Sequence, residues 1–227
     1  MAQAERREKA LKMYNELKVK NPNLSPISVE GSVIAKTWWG KAWCINFEKY
    51  KAYQHLLVNA RKYLRDGWVL DLQIEEGCIK SLTVGNWWKP YEITIKINLL
   101  SDAVEKKIMQ LAGDNIEFMD QLLLGKFPEE LGNLFLQQGG IFPTFKDISL
   151  TCICPNTHMC KHCIAVLYGF AVHLDKNPLL LFKLRGINFN AFLKKTLERK
   201  LSLLMPSSKA DPERAIEDCD VERIFGA

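Results

Sequence analysis

The sequence predicts an α+β fold, in which an antiparallel β-meander packs with helices and is followed by a helical segment and a small strand-turn-helix metal site. Three observations lead to this prediction. Alternating apolar and polar residues fill much of 68–97, and such alternation is typical of half-buried strands. Aromatic residues recur at helical spacing between 38 and 50. Cysteines and histidines cluster within 152–163.

The composition is that of an ordinary globular chain. The 227 residues are enough for one large domain or two small ones. With 48% hydrophobic and 25% charged residues, a disordered or fibrous chain is excluded. No apolar run approaches the roughly 20 residues that a transmembrane helix needs, and no apolar stretch follows the first charged residues, so we expect no secretory signal. We therefore expect a cytoplasmic protein without a membrane partner.

The N-terminal part predicts two helices. Residues 5–19 favour a short helix, and 23–30 favours a linker because prolines interrupt helical structure there. Thr37 is a suitable N-cap for a helix that we expect to run through Leu56. Its aromatic stripe is more typical of a core than of a platform for stacking bases. The stripe consists of Trp39, Trp43, Phe47 and Tyr50.

Three short strands form the predicted meander. Alternation places them at 68–74, 79–84 and 91–97, with tight connections between them. One face of such a sheet is apolar and must be covered. The tryptophan-rich helix is the natural cover.

The second half predicts mostly helices around one strand. Helices are expected over 102–112, 115–124, 128–138 and 161–175, a strand over 145–150, and an amphipathic helix over 189–204. The predicted segments are 1–31 (N-terminal helix and linker), 32–112 (tryptophan-rich α+β domain), 113–188 (helical segment and metal site) and 189–227 (basic amphipathic helix and acidic tail).

The cysteine cluster predicts a structural zinc site. Such a site is formed by four cysteine or histidine side chains in a tetrahedron, and the spacing C-x-C-x5-C-x-H supplies them. Cys152 and Cys154 lie on the same side of a strand because side chains alternate with period two. Cys160 and His162 reach the same ion from the turn that starts the next helix.

Three ligand sets fit this cluster. The first is Cys152, Cys154, Cys160 and His162; the second replaces His162 by Cys163; the third includes His158. We favour the first set, because Cys163 begins an apolar run that is expected to face the core. His158 lies near the tip of a short loop.

Catalytic interpretations of the cluster are less favoured. Cys160 and Cys163 could form a redox C-x2-C pair at a helix start, but the C-x-C pair would then have no role. The chain also has no phosphate-binding loop and no paired-carboxylate motif. We expect no enzymatic activity and no small-molecule substrate.

The sequence resembles the SWIM zinc finger family, whose pattern is C-x-C, a loop and C-x-H. It is most similar to the bacterial stand-alone SWIM zinc finger proteins, over roughly residues 32–190. The resemblance implies a Zn²⁺-binding module with Cys152, Cys154, Cys160 and His162 as ligands. It also implies DNA or protein partners, among them a helicase-like ATPase of the Swi/Snf kind. The matching stretches are 36–43, 69–97, 127–131, 141–143, 152–168 and 175–186.

The net charge of +5 conceals an uneven distribution. Eight basic residues and one acid lie between 176 and 209, and six acids lie between 211 and 222. Such a basic run is either a solvated helix face or a contact surface for a polyanion. The candidate nucleic-acid contacts are Lys161, Lys183, Arg185, Lys194, Lys195, Arg199 and Lys200. The alternative function is a protein adaptor, in which the acidic tail shields the basic run.

Overall fold

Four antiparallel strands form a single sheet in the order β1-β2-β3-β4. The computed structural model describes residues 2–85, 89–114, 121, 124–129, 132, 140–156 and 159–204, with some side chains of the helices at 102–114 and 189–204 left out. The predicted α+β class and the meander are confirmed. The strands are β1 (Val69–Glu75), β2 (Cys78–Thr83), β3 (Tyr91–Ile97) and β4 (Ile148–Cys152).

Strand β4 joins the meander from a distant part of the sequence. Cys152 pairs with Ile93, and Leu150 pairs with Ile95. Ile93 and Ile95 of β3 are almost fully buried and lie on the apolar face of the meander. Because paired residues of neighbouring strands lie side by side, β4 extends that face by one strand. The strand predicted before the cysteine cluster is thus an edge strand of the same sheet. It links the predicted segment 113–188 to the predicted segment 32–112. The division into four segments stays a prediction.

Most of the helices lie where the sequence predicts them. Predicted helices are confirmed near both ends of the chain and directly after the cysteine cluster. The helices are α1 (Gln3–Lys20), α2 (Trp38–Glu48), α3 (Gln54–Arg65), α4 (Asp102–Asp114), α5 (Lys161–Lys176), α6 (Leu179–Leu184) and α7 (Phe189–Leu204), with 3-10 turns at Lys51–Tyr53 and Phe145–Asp147.

Helix α5 lies at the centre of the core. Its residues from His162 to Ala171 are all buried, and it contacts α2, α3 and β1. A helix that is apolar on all sides must pack against other elements on all sides. The start of α5, which carries half of the predicted metal ligands, is therefore held by the surrounding helices and the sheet.

The aromatic stripe of α2 is part of the core, as predicted. Trp39 and Trp43 are buried, and both indole N–H groups donate hydrogen bonds to backbone carbonyls of α5. The acceptors are the oxygens of Leu174 and Leu167, each at 2.9 Å. Tryptophans buried in this way cannot stack with bases.

The prediction of one continuous helix through Leu56 is wrong. Helix α2 ends at Glu48, and α3 begins at Gln54. Tyr50 has extended backbone angles, and its hydroxyl accepts a hydrogen bond from the Phe145 N–H at 2.9 Å. A tertiary contact therefore outweighs the helical periodicity at this point.

Two stretches that are distant in sequence, 36–43 and 175–186, meet around Asp175. Its carboxylate accepts hydrogen bonds from the backbone N–H of Lys36 at 2.5 Å and of Thr37 at 3.1 Å, and from the Thr37 hydroxyl. Thr37 in turn caps α2 through the Gly40 N–H at 3.1 Å. A β-carbon at Gly40 would lie 2.4 Å from Asp175 Oδ1, so this close approach needs glycine.

Several predictions lie outside the described residues. They are most of the helix at 115–124, most of the helix at 128–138 and the acidic tail at 211–222. In the part of the chain that the structure describes, no helix is long and apolar enough to cross a membrane.

Candidate metal centre

The four favoured ligands meet at the corner between β4 and α5. Cys152 is the last residue of β4, Cys154 lies in the bend that follows, Cys160 is the N-cap of α5, and His162 lies in its first turn. One donor atom from each lies within 4.8 Å of every other. Among the described residues this is the one group of histidine, cysteine and carboxylate side chains with metal-site spacing.

Backbone structure positions both halves of the cluster. On the strand side, the Ile153 N–H donates to Glu92 O at 3.3 Å, which extends the β3–β4 pairing to the residue between the two cysteines. On the helix side, Cys160 takes the extended conformation of an N-cap. A sulfur at this position faces the positive end of the helix dipole, which favours a thiolate.

The two ring nitrogens of His162 face different partners. Nδ1 lies 3.9 Å from Cys152 Sγ, whereas Nε2 lies 3.3 Å from the Tyr63 hydroxyl oxygen. Nδ1 is therefore the nitrogen that would bind a metal. With that nitrogen deprotonated for a metal, Nε2–H donates to the Tyr63 oxygen, as the outer nitrogen of a metal-bound histidine commonly does.

Aromatic rings hold the imidazole in place. Tyr63 of α3 and Tyr91 of β3 lie edge-on to His162, with ring centroids 5.1 and 4.9 Å away. Gly85 makes room for Tyr91, because a β-carbon there would lie 2.7 Å from that ring. The ligand is thus held by two elements besides its own helix, α3 and β3.

The sulfurs of the cluster lie within hydrogen-bonding distance of one another. Hydrogen bonding with Cys152 and Cys163 lowers the pKa of Cys160. Hydrogen bonding with Cys160, together with burial, raises the pKa of Cys152 to about 12. Burial raises the pKa of Cys154 as well. A divalent cation bound between these sulfurs would favour their thiolate forms.

Cys163 is a fifth sulfur beside this cluster. Its Sγ lies 3.6 Å from that of Cys160, and the residue is only 1% exposed. Hydrogen bonding to Cys152 and Cys160 raises the pKa of Cys163. It lies outside the group of four donors within 4.8 Å, and it faces the core, as expected.

The donor set fits zinc in number, type and size. Zinc prefers four sulfur and nitrogen donors, and bond lengths of about 2.3 Å to sulfur and about 2.0–2.1 Å to nitrogen place tetrahedral donors roughly 3.5–3.8 Å apart. The donors here lie within 4.8 Å of one another, so a shift of about 1 Å would close the tetrahedron. The site can bind a metal ion, and its composition is consistent with zinc.

The remaining histidines do not add to the cluster in the described structure. His158 lies outside the described residues. His173 is half-buried near the C-terminal end of α5, and its Nε2 has no hydrogen-bond partner among the described residues. Burial and the nearby charge of Lys176 lower the pKa of His173, which favours a neutral ring.

The predicted nucleic-acid contacts occupy different environments. Lys161 is half-buried, with its ammonium 5.1 Å from the centre of the Tyr63 ring beside the metal cluster. Lys183 and Lys194 are exposed, and Lys194 lies 3.9 Å from the carboxylate of Glu198. The side chains of three predicted contacts on α7 lie outside the described part: Lys195, Arg199 and Lys200.

Arg185 is placed inside the fold. It is 5% exposed, and its guanidinium donates a hydrogen bond to the carbonyl oxygen of Asn98. Its own carbonyl accepts from the Leu100 N–H at 2.9 Å. Arg185 thus ties the end of α6 to the segment after β3 and is not exposed to a phosphate. Burial lowers the pKa of Arg185.

Tyr63 and Tyr91 are the site residues that sequence reasoning missed. Tyr63 lies 99 residues before His162, beyond the predicted end of the tryptophan-rich helix at Leu56. Tyr91 was recognised only as part of a strand. Neither belongs to the C-x-C or C-x-H pattern, so no local spacing could have assigned them.

Comparison with known proteins leaves the family open. No family model matches the chain, and no solved structure matches it. The chain is similar to "Uncharacterized protein Rv2102" of Mycobacterium tuberculosis, with 30% identity over 176 residues. The match covers 73% of this chain and 63% of that protein, so the chain spans less than two thirds of its relative.

Proposed function

We propose that this chain is a zinc-binding module of the SWIM type without catalytic activity, which binds DNA with low sequence specificity. The observation that carries the proposal is the group of four donors, Cys152, Cys154, Cys160 and His162, within 4.8 Å of one another. The resemblance of the sequence to SWIM zinc fingers supports the same set. Cytoplasmic location is part of the proposal.

The donor count supports a structural rather than a catalytic metal. Catalytic zinc sites usually have three protein ligands and keep a position for water, whereas structural sites are closed by four. With His162 bound through Nδ1, the four donors leave no such position. The metal would join the end of β4 to the start of α5.

Exposed lysines support a contact with the phosphate backbone. Lys183 and Lys194 are exposed, and Lys161 lies beside the metal cluster. Lysines bind phosphate as point charges and release counterions, which gives salt-sensitive binding without sequence preference. Arg185 is not included in the proposed surface because it is buried.

A protein adaptor is the second candidate. Leu197 and Leu201 lie one turn apart on α7 and are each 56% exposed. An exposed apolar pair of this kind favours a protein partner over a polyanion. Partnership with a helicase-like ATPase of the Swi/Snf kind is supported by the sequence resemblance alone.

Metal analysis tests the first part of the proposal. We expect the purified chain to contain one zinc per molecule, and each of C152S, C154S, C160S and H162A to lower the metal content strongly. C78S is the matched control, because Cys78 lies in β2 outside the cluster. Zinc-free protein whose stability does not respond to added zinc would refute the site.

Fluorescence anisotropy with labelled duplex and single-stranded DNA tests the second part. Binding should weaken as salt rises, and K161E, K183E and K194E should each weaken it on any sequence. The control is K80E, because Lys80 lies on the sheet in an ion pair with Glu75. No binding of either DNA at low salt would favour the adaptor function.

A further inference from the structure

Cys163 has a geometric relationship to the metal ligands that a packing role does not require. Its Sγ faces Cys160 Sγ at 3.6 Å, and its side chain also interacts with Cys152. Both Cys160 and Cys163 are almost fully buried. A thiol that takes no part in the ligand set therefore lies in contact with two thiols that do.

The arrangement of Cys160 and Cys163 suits a disulfide. They flank the first turn of α5, with Cys160 as its N-cap and Cys163 three positions later. A disulfide needs a sulfur–sulfur distance of about 2.05 Å and adjacent β-carbons, so the sulfurs must approach by roughly 1.5 Å from their present separation. Residues three apart at a helix start are neighbours, so this approach requires only a local change of side-chain and N-cap geometry.

We infer that Cys163 is the oxidation partner of Cys160, so that a disulfide between them removes one ligand and releases the metal. The inference rests on the proposed metal site. It adds a modification site: the sulfur pair Cys160–Cys163, with a hydroperoxide as the oxidant.

The chemistry requires one two-electron oxidant. Hydrogen peroxide accepts an electron pair from the Cys160 thiolate, the O–O bond breaks, a sulfenic acid forms and hydroxide leaves. The Cys163 sulfur then attacks that sulfenic sulfur, the S–S bond forms, and the departing hydroxyl group leaves as water with the thiol proton. Cys152 is the least buried of the four cysteines of the cluster.

Loss of Cys160 as a ligand would open the site. Three donors would remain: Cys152, Cys154 and His162. Metal affinity should therefore fall on oxidation and return when a dithiol reductant restores both thiols. The metal-bound corner between β4 and α5 would then form only in the reduced protein.

Peptide mapping of the full chain reads out the bond directly. Zinc-loaded protein is treated with hydrogen peroxide, released zinc is followed with a chromogenic chelator, and free thiols are alkylated before digestion with trypsin. Cleavage after Lys146, Lys161 and Lys176 separates Cys163 from the other three cysteines of the cluster. A Cys160–Cys163 bond therefore links peptides 147–161 and 162–176, and fragmentation of the linked pair by tandem mass spectrometry distinguishes Cys160 from Cys152 and Cys154 as the bonded residue. A bond between Cys152 and Cys160 stays within peptide 147–161.

We expect the linked peptides to accumulate in parallel with zinc release and to disappear on reduction. Zinc release with peptide 162–176 alkylated at Cys163 would overturn the inference. C163A should keep one zinc per molecule and give no linked peptides, and C78A should behave like the wild type. Loss of zinc from folded C163A would instead make Cys163 a ligand and would also overturn the inference.

The two proposals can fail separately. If the wild-type chain binds no zinc, the proposed metal site fails, but the same mapping on the metal-free protein still shows whether Cys160 and Cys163 join. If zinc binds and the linked peptides do not form, the oxidation site fails and the metal site stands.

Discussion

The Tyr63 hydroxyl oxygen lies 3.3 Å from Nε2 of His162, while Nδ1 of the same ring faces Cys152 Sγ at 3.9 Å. The tyrosine of α3 thus selects which nitrogen of the histidine is free for the metal. A partner of this kind orients the ring and fixes its tautomer. Function at the metal site therefore depends on a helix distant from it in sequence.

Tyr63→Phe should weaken metal binding without unfolding the chain. The substitution removes the acceptor for His162 Nε2–H but keeps the ring that packs on Trp68 at 4.5 Å. Loss of such a partner typically costs about 10- to 100-fold in metal affinity. Competition with a chromogenic zinc chelator measures the change. Tyr53→Phe is the control, since Tyr53 stacks on Phe145, and equal affinities of all three proteins would contradict the role of Tyr63.

Gly40 and Asp175 should be energetically coupled. Asp175→Ala removes the acceptor for the Lys36 and Thr37 N–H groups and should lower the free energy of unfolding by about 1–3 kcal/mol. Gly40→Ala places a β-carbon 2.4 Å from Asp175 Oδ1 and should destabilise the wild type more than it destabilises the Asp175→Ala variant. Urea unfolding of the two single variants and the double variant measures this coupling. If the two changes in the free energy of unfolding simply add, the close approach of Gly40 to Asp175 does not cause the destabilisation by Gly40→Ala.

Stability should fall as the pH is lowered past about 6.5, in part through His173. Burial first, and then Lys176, lower its pKa, with Asp71 opposing. The unfolded chain therefore binds a proton at a higher pH than the folded chain, and the free energy of unfolding decreases as the pH falls through the unfolded value.

His173→Gln should flatten that dependence. Urea unfolding at a series of pH values measures the slope, and His55→Gln, at an exposed position of α3, is the matched control. An unchanged slope in His173→Gln would assign the pH dependence to other groups.

Removal of the metal should loosen the corner between β4 and α5 and leave the core folded. Of the described residues between Ile153 and Cys160, only the two cysteines, Cys154 and Cys160, are buried, whereas α5 from His162 to Ala171 is packed on all sides. We expect chelator-treated protein to keep its helical circular dichroism while amides of β4 and of the first turn of α5 exchange faster. Cooperative loss of the whole helical signal on chelation would show that the metal holds the entire fold.

The sequence alone determined the features that depend on neighbouring residues. Alternation identified the strands from 68 to 97, helical spacing identified the aromatic stripe, and the C-x-C and C-x-H pattern selected Cys152, Cys154, Cys160 and His162. Each of these follows from the period of a strand or a helix, which local sequence displays. The favoured ligand set is the set of donors that the structure brings together.

Tertiary structure alone decided which distant residues complete the site and where α2 ends. Tyr63 reaches His162, Phe145 holds Tyr50 out of a helix, and β4 pairs with β3 across about fifty residues. Arg185 lies inside the fold although its neighbours in sequence suggested a basic surface. Such contacts form because burial and hydrogen bonding among remote segments outweigh local preference, and that balance is set by packing rather than by spacing along the chain.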